Sequence, residues 1–396
     1  MSYDLSPTCS LSRLPKLFAD TDSSSVTTAR PVRDMSTRRI ISISYVDPAL
    51  AGLLTGNQVR LTSTALLLMS SYFQFISTSS YLHPGGDGRV DVVITPPPVL
   101  VRNALGVWGA DGRRWLDDLP RIADAVARDW GLRLGRPYAL SYHWVAEATR
   151  EDGSAAVLKL GPTRPGHLAV EAAALEFYDG RGAVRLLAHD AERGALLLER
   201  ATPGTLARDL VPERDEDATA AVIDVIRRLH RPAPPESPLP DLVKAGAAFT
   251  RHLDRFPGDA PLPRHLVERA AKLFEELCGD ATERVVLHGD LHHDNVLRAE
   301  REPWLAIDPH GYVGDPGYET GALLYNPDPD DRDDALLKLV PARIEQLADG
   351  LGMPRERVEA WGFAVCVLSE VWTTEDGGDP DGRPLDVALQ LLPRLS

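Results

Sequence analysis

Cysteine is scarce in this chain: Cys9, Cys278 and Cys366 are the three present, far apart and matching neither a disulfide framework nor a metal-ligand spacing. That excludes a disulfide-stapled scaffold and points to a reducing cytosol. Long apolar runs are also missing. None reaches 18 residues; the nearest, Ala65 to Ile76, is short and interrupted by Ser70, Ser71 and Gln74, so no membrane-spanning helix is expected. The N-terminus does not read as a signal peptide, because Arg13 and Lys16 lead into Ser/Thr-rich sequence rather than an apolar core. Positive charge is in deficit. A net charge of -15 argues against nucleic-acid or anionic-membrane partners and suits a cationic ligand. No internal repeat is visible.

Two further shortages divide the chain. The first 88 residues hold 16 serines and no glutamate, whereas the remaining 308 hold only 5 serines. Residues 1–88 therefore read as a disordered extension, or as the product of an over-long gene start with the true start near Val90–Val93. No catalytic role is assigned to them. What is present elsewhere is ordinary globular sequence, 43% hydrophobic and 26% charged, long enough for two core-bearing units or one two-lobed fold.

Trp115, Leu119, Ile122, Val126 and Trp130 recur at helical spacing. Tyr138 to Thr149 reads as a strand, Asp152-Gly153 as a hairpin turn and Ala155 to Leu160 as the returning strand. A helix from Pro165 to Tyr178 follows, with Leu168, Ala172, Leu175 and Tyr178 on one face, then a strand pair, Val184 to Ala188 and Ala195 to Arg200. Beyond Gly204 helices dominate: Ala218 to His230, Leu266 to Cys278, Asp333 to Leu347 with a break at Pro341, and Pro354 to Trp372. Short strands are expected at Arg284 to His288 and Trp304 to Asp308. This order makes the fold class α+β, a sheet lobe over 89–202 and a helical lobe over 203–396.

The densest chemistry lies in Val286-Leu-His-Gly-Asp-Leu-His-His-Asp-Asn-Val-Leu297, followed by Trp304-Leu-Ala-Ile-Asp308. Phosphoryl transfer to an alcohol needs a carboxylate to deprotonate the hydroxyl, an amide and a second carboxylate to hold magnesium, and a cation on the phosphates. Asp290 and Asn295 stand five apart, the spacing of the base and metal-binding amide in a kinase catalytic loop. Asp308 ends an apolar strand, where a hard oxygen ligand for Mg²⁺ is wanted. Asp294 is a rival base, with capping or loop bonding as its alternative role. His288 suits loop-shaping; His292 suits that or a place near the phosphates. A second reading takes His288, Asp290, His292, His293 and Asp294 as a transition-metal cluster of a hydrolase, but no further ligand motif accompanies them.

Leu287-His-Gly-Asp-Leu-His-His-Asp-Asn295 with Ile307-Asp308 resembles the aminoglycoside phosphotransferase family, and the stretches Asp308 to Glu319, Leu324 to Pro327 and Leu368 to Trp372 resemble its streptomycin 6-kinase and hydroxyurea phosphotransferase branch. The resemblance covers Val99 to Ser396. It implies a protein-kinase-like two-lobed fold binding ATP and Mg²⁺, with Asp290 as base, Asn295 and Asp308 as magnesium ligands, and Lys159 on the phosphates. Glu171 would pair with Lys159, Glu176 being the alternative. Glu199 and Ala201 would lie in the inter-lobe hinge, whose backbone binds adenine. One departure stands out: where kinases carry a glycine-rich cover between the first two strands, Ser141-Tyr-His-Trp-Val-Ala-Glu147 has no glycine.

A cationic acceptor calls for carboxylates, and Glu370, Glu375 and Asp376 cluster about Trp372. The Asp328 to Asp334 run reads as a solvated face, and Asp315 as a loop-bonding residue. Three functions compete. The first is a cytoplasmic streptomycin 6-phosphotransferase acting on a cationic aminocyclitol; the second a kinase for hydroxyurea or another small metabolite; the third a catalytically silent kinase-like binding protein.

Overall fold

The computed structural model describes residues 83–84, 90–91, 94, 96–138, 142–164 and 166–395. The reading of residues 1–88 as an extension thus falls, apart from His83–Pro84, outside the described residues. All described residues belong to one compact unit, Val59–Ser396.

Helix α1 (Pro98–Asp129) leads into a five-stranded antiparallel sheet of β1 (Leu132–Pro137), β2 (Trp144–Arg150), β3 (Ala155–Leu160), β4 (Leu186–Asp190) and β5 (Ala195–Glu199), ordered β1-β2-β3-β5-β4. Helix α2 (His167–Tyr178) connects β3 to β4. Period-two alternation gives each face its own core. Ala156, Leu158 and Leu160 join Leu100, Trp115, Leu119 and Val126 of α1 in one cluster. Leu196 and Leu198 point the other way and join α2 and the helical lobe in a much larger cluster. Lys159, between Leu158 and Leu160, is thereby sent to the α2 side.

The sheet differs from the sequence expectation at its first edge. Tyr138 to Thr149 is not one strand: β1 lies earlier, and the chain turns before Trp144. Leu140, Tyr142 and Trp144 mimic strand alternation, yet Tyr142 belongs to a loop and lines a cavity. Periodicity alone does not separate those two fates.

The helical lobe comprises α3 (Asp215–Leu229), α4 (Ala247–Arg255), α5 (Arg264–Gly279), α6 (Glu319–Tyr325), α7 (Val340–Leu351), α8 (Arg355–Glu375) and α9 (Arg383–Leu391). The break expected at Pro341 occurs where α7 begins, with the proline in its first turn, where a missing N–H is harmless. Five short strands frame the catalytic segment. β6 (Pro203–Leu206), β8 (Val296–Ala299) and β9 (Trp304–Ala306) pair as β9-β8-β6, and β7 (Val285–Leu287) pairs with β10 (Tyr312–Gly314). Among the described residues, no helix is long and apolar enough to cross a membrane.

Candidate active site

The loop from His288 to Asn295 runs between β7 and β8, and its shape is set residue by residue. Gly289 adopts φ +85°, and a Cβ there would fall 2.7 Å from the Tyr312 ring, so only glycine fits. Its N–H donates to Glu319 Oε1 at 2.7 Å. His288 is buried, with Nε2 2.8 Å from the Ile307 carbonyl oxygen. Burial lowers its pKa to about 4, so the ring is a neutral strut.

Asn295 Nδ2 donates to the Asp290 carbonyl at 2.9 Å and lies 3.4 Å from Asp290 Oδ2, which turns its Oδ1 to the opposite side. The Asn295 carbonyl in turn accepts from Ile307 N–H at 3.0 Å, tying this loop to the strand that presents Asp308. His292 sits between Asp290 and Asp294, 3.6 and 3.4 Å from their carboxylates. Burial opposes its charge, but the two carboxylates prevail and push its pKa up to about 10. Asp294 is buried and also holds Arg208, which reaches on to Asp328. Of the two rival bases, Asp290 alone lines the cavity described below.

Lys159 is 5% exposed. Its Nζ donates to Glu171 Oε2 and to Asp308 Oδ1, both at 2.6 Å. Glu176 lies on the exposed face of α2 and takes no part. Desolvation works against the ammonium, but Asp308 and then Glu171 outweigh it and its pKa is raised. Burial likewise opposes the charge on Asp308, yet Lys159 holds that carboxyl well below the usual range. Burial lifts Glu171 to about 7, with Lys159 offsetting part of the rise. The directions agree on an ionised Asp308 beside an ammonium. Asp308 also has φ 61°, a left-handed conformation that few non-glycine residues take, and such strain concentrates at functional sites.

Asp290, Glu171 and Asp308 line a cavity of about 530 Å³. Aromatic rings contribute much of its other walls, Trp108 from α1, Tyr142 and His143 from the loop between β1 and β2, and Tyr312, Tyr318 and Trp372, beside the cations Lys244 and Arg251. Asp376, at the end of α8, lines it too; burial, then neighbouring Glu375, raise its pKa to about 6. Across the cavity, burial and then Asp376 raise the pKa of Tyr142. His310 also lines it, with Nε2 3.8 Å from Asp290 Oδ2.

Not every residue singled out in the sequence reaches this cavity. Glu370 is 2% exposed and turns away, accepting from the Gly382 and Leu385 N–H groups at the start of α9. The positive N-terminal end of a helix attracts a carboxylate, which is why it faces α9 rather than a ligand. Glu375 is bound by Arg251 through two bonds of 2.7 and 3.0 Å. Glu199 and Ala201 are not among the lining residues either. The Glu199 carboxylate receives Arg301 through two bonds of 2.8 Å, fastening the end of β5 to the β8–β9 turn. Asp315 accepts from Gly317 N–H and Trp361 Nε1, each at 2.8 Å, and pairs with Arg357. The Asp328 segment is only in part a solvated face, since Asp328 pairs with Arg208 and Asp333 caps the following helical turn.

The histidines of the alternative metal reading do not converge: His288 meets the Ile307 carbonyl, His292 lies between two carboxylates, and both ring nitrogens of His293 are buried with no hydrogen-bond partner. Among the described residues, no group of three or more His, Cys, Asp or Glu side chains could hold a metal ion. A site made of one amide and one carboxylate, completed by phosphate oxygens, is a different case. Asn295 and Asp308 offer hard oxygens that suit Mg²⁺.

Sequence reasoning passed over Glu319, Trp108 and Arg208. Glu319 is the clearest omission. It is 2% exposed, burial raises its pKa to about 8, and it braces the backbone beside Asp290. An acidic residue opening the apolar stretch Ala322-Leu-Leu-Tyr325 was the available signal.

The sequence profile of a family described as aminoglycoside/hydroxyurea antibiotic resistance kinase matches residues 139–377. A hydroxyurea phosphotransferase of Kitasatospora aureofaciens is 37% identical over 298 residues, 73% of this chain and 83% of that protein. A streptomycin 6-kinase of Streptomyces glaucescens is 32% identical over 308 residues, 74% of this chain and 96% of that one. A second streptomycin 6-kinase, of Streptomyces griseus, is 34% identical over 279 residues, 68% of this chain and 87% of its own length.

Proposed function

The chain belongs to the aminoglycoside/hydroxyurea antibiotic resistance kinase family, and from that premise we propose that it phosphorylates the 6-hydroxyl of streptomycin, or of a closely related cationic aminocyclitol, using ATP and Mg²⁺. The observation carrying this reading is the Lys159 ammonium held 2.6 Å from both Glu171 and Asp308, two carboxylates that line the same cavity as Asp290.

Asp290 is the base: its carboxylate orients the acceptor hydroxyl and takes its proton as the new phosphate ester bond forms and the bond from the γ-phosphorus to the departing ADP breaks. Asn295 fixes Asp290 from one side, and protonated His292 steadies its charge from below. Lys159 holds the α/β-phosphates, with Glu171 keeping the ammonium in place. Asn295 and Asp308 would hold Mg²⁺, whose charge offsets that building on the transferred group. Glu199 and Ala201 remain the proposed adenine contacts through their backbone. A glycine-free loop after β1 leaves more of the phosphate neutralisation to Lys159 and the metal. A cytoplasmic location, where ATP and magnesium are at hand, completes the reading.

The size of the cavity favours a large acceptor over hydroxyurea. About 530 Å³ is the scale of sites that enclose drug-sized ligands, whereas hydroxyurea has only a handful of heavy atoms. A coupled ADP-release screen over streptomycin, hydroxyurea and other alcohols, with NMR location of the new phosphate, tests the proposal. Phosphate on the streptomycin 6-position supports it. Turnover of hydroxyurea alone selects the smaller-metabolite kinase, and ATP–Mg²⁺ binding without any turnover selects a silent binding protein.

A further inference from the structure

Helix α1 is not one straight rod. At Gly109 the backbone takes φ 53° and ψ -120°, a conformation open to glycine and strained for any other residue. A Cβ at this position would meet nothing within 4 Å, so the glycine is required by its dihedral angles and not by crowding. The break redirects the turn before it. The part after Gly109 packs on the sheet through Trp115, Leu119 and Val126, while Trp108, just before it, reaches the cavity. Trp108 stands edge-on to Trp115 with ring centres 6.0 Å apart, and lies tilted against His143 at the same separation. Its Nε1 is buried with no hydrogen-bond partner, so what the residue can offer the cavity it lines is its ring. Gly109, Trp108 and Trp115 lie outside residues 139–377, the segment matched by the family profile, whereas His143 lies within it.

We propose that Trp108, delivered by the break at Gly109 and braced by His143 and Trp115, is a specificity-determining wall of the acceptor pocket. An indole ring attracts guanidinium and ammonium groups through its face. Acceptors large enough to reach from Asp290 to α1 gain this contact; very small ones do not. The inference rests on the proposed function and deepens it by naming a polycationic, drug-sized acceptor class.

The test compares wild type with Trp108→Ala, Trp108→Phe and Gly109→Ala, measuring KM for streptomycin and for ATP and the thermal unfolding of each protein. Trp108→Ala should raise the streptomycin KM about tenfold, corresponding to about 1.4 kcal/mol, and leave the ATP KM unchanged. Trp108→Phe should recover most of the loss. Gly109→Ala, which keeps the indole but strains the break, should raise the streptomycin KM with the ATP KM again unmoved, and it carries the test if Trp108→Ala does not fold. Normal streptomycin KM in either folded variant overturns the inference while leaving the proposed function standing. Equal rises in both KM values would mark Trp108 as merely structural and overturn it as well. Wild-type enzyme that ignores streptomycin would overturn both.

Discussion

The two ends of the cavity are built on different principles. At the proposed phosphate end each polar side chain is held by a neighbour: Lys159 by Glu171 and Asp308, His292 by Asp290 and Asp294, and the Asn295 amide by the Asp290 carbonyl. At the acceptor end the walls are aromatic rings from distant elements, with Asp376 the carboxylate that joins them. Phosphoryl transfer fixes the positions of a few charges, so any chain performing it must place them alike. Acceptor choice sets only a shape and a charge balance, which many combinations of side chains can meet. The phosphate end should therefore fail sharply when altered, and the acceptor end by degrees.

The largest effect is expected at Asp290. Asp290→Ala removes both the proton acceptor and the group that orients the hydroxyl, and turnover should fall by about 10²–10⁴-fold. The ATP KM should stay within about twofold, because Lys159 and Asp308 are untouched. ADP release at saturating streptomycin measures this; turnover close to wild type would remove Asp290 from the role and erase the contrast between the two ends.

Lys159→Met comes next, and it reads out in stability as well as activity. It leaves the Glu171 and Asp308 carboxylates facing each other without their cation. Deleting one partner of a buried ion pair costs about 3–5 kcal/mol, and these side chains are only 5% and 27% exposed. Adding Glu171→Gln should restore part of that loss, since the second change removes the stranded charge. Urea titration of the single and double variants decides the point, and an unaltered midpoint in the single variant would show the pairing to be energetically idle.

The same difference explains what could be read before the fold was known. The gathering of Asp290, Asn295 and Asp308 was legible because the proposed chemistry dictates both residue type and spacing along a short segment. Lys159 was legible only through the family resemblance, since a strand lysine by itself more often faces solvent, and the resemblance left Glu171 and Glu176 as partners, of which Glu171 makes the bond. Glu319 was not, since its partner Gly289 is 30 residues away and no local period links them. Trp108 was hidden by Gly106 and Gly109, which interrupt the helical pattern that begins clearly only at Trp115. Glu370 and Glu375 cluster with Asp376 in sequence, but a helix disperses its neighbours around its axis, sending one to α9, one to Arg251 and one to the cavity. The loop before Trp144 was absorbed into a strand because cavity-lining aromatics alternate as core aromatics do.

A gentler effect is expected at Asp376. Its pKa of about 6 lies above the ordinary carboxyl value, so the group is neutral below that pH and negative above it. Binding of a cationic acceptor should strengthen as pH rises from 5 to 7, with the streptomycin KM falling about fivefold, equivalent to about 1 kcal/mol for a partly exposed charge pair. Asp376→Asn should abolish that dependence and hold KM at its low-pH value. A wild-type KM that does not change over this range would take Asp376 out of acceptor recognition.

The smallest effect belongs to Glu375, and it separates true cavity residues from sequence neighbours. Glu375 is committed to Arg251, whose side chain is 59% exposed, and exposed pairs of this kind contribute about 0–1 kcal/mol. Glu375→Gln keeps an acceptor oxygen for the guanidinium and removes only the charge. Its direct effect on streptomycin KM should stay within about twofold. Its indirect effect has a definite sign: with one negative neighbour gone, the Asp376 pKa should fall, and the pH at which KM improves should shift downward. A large KM increase at neutral pH would instead place Glu375 on the acceptor and make the acceptor end as sharply specified as the phosphate end.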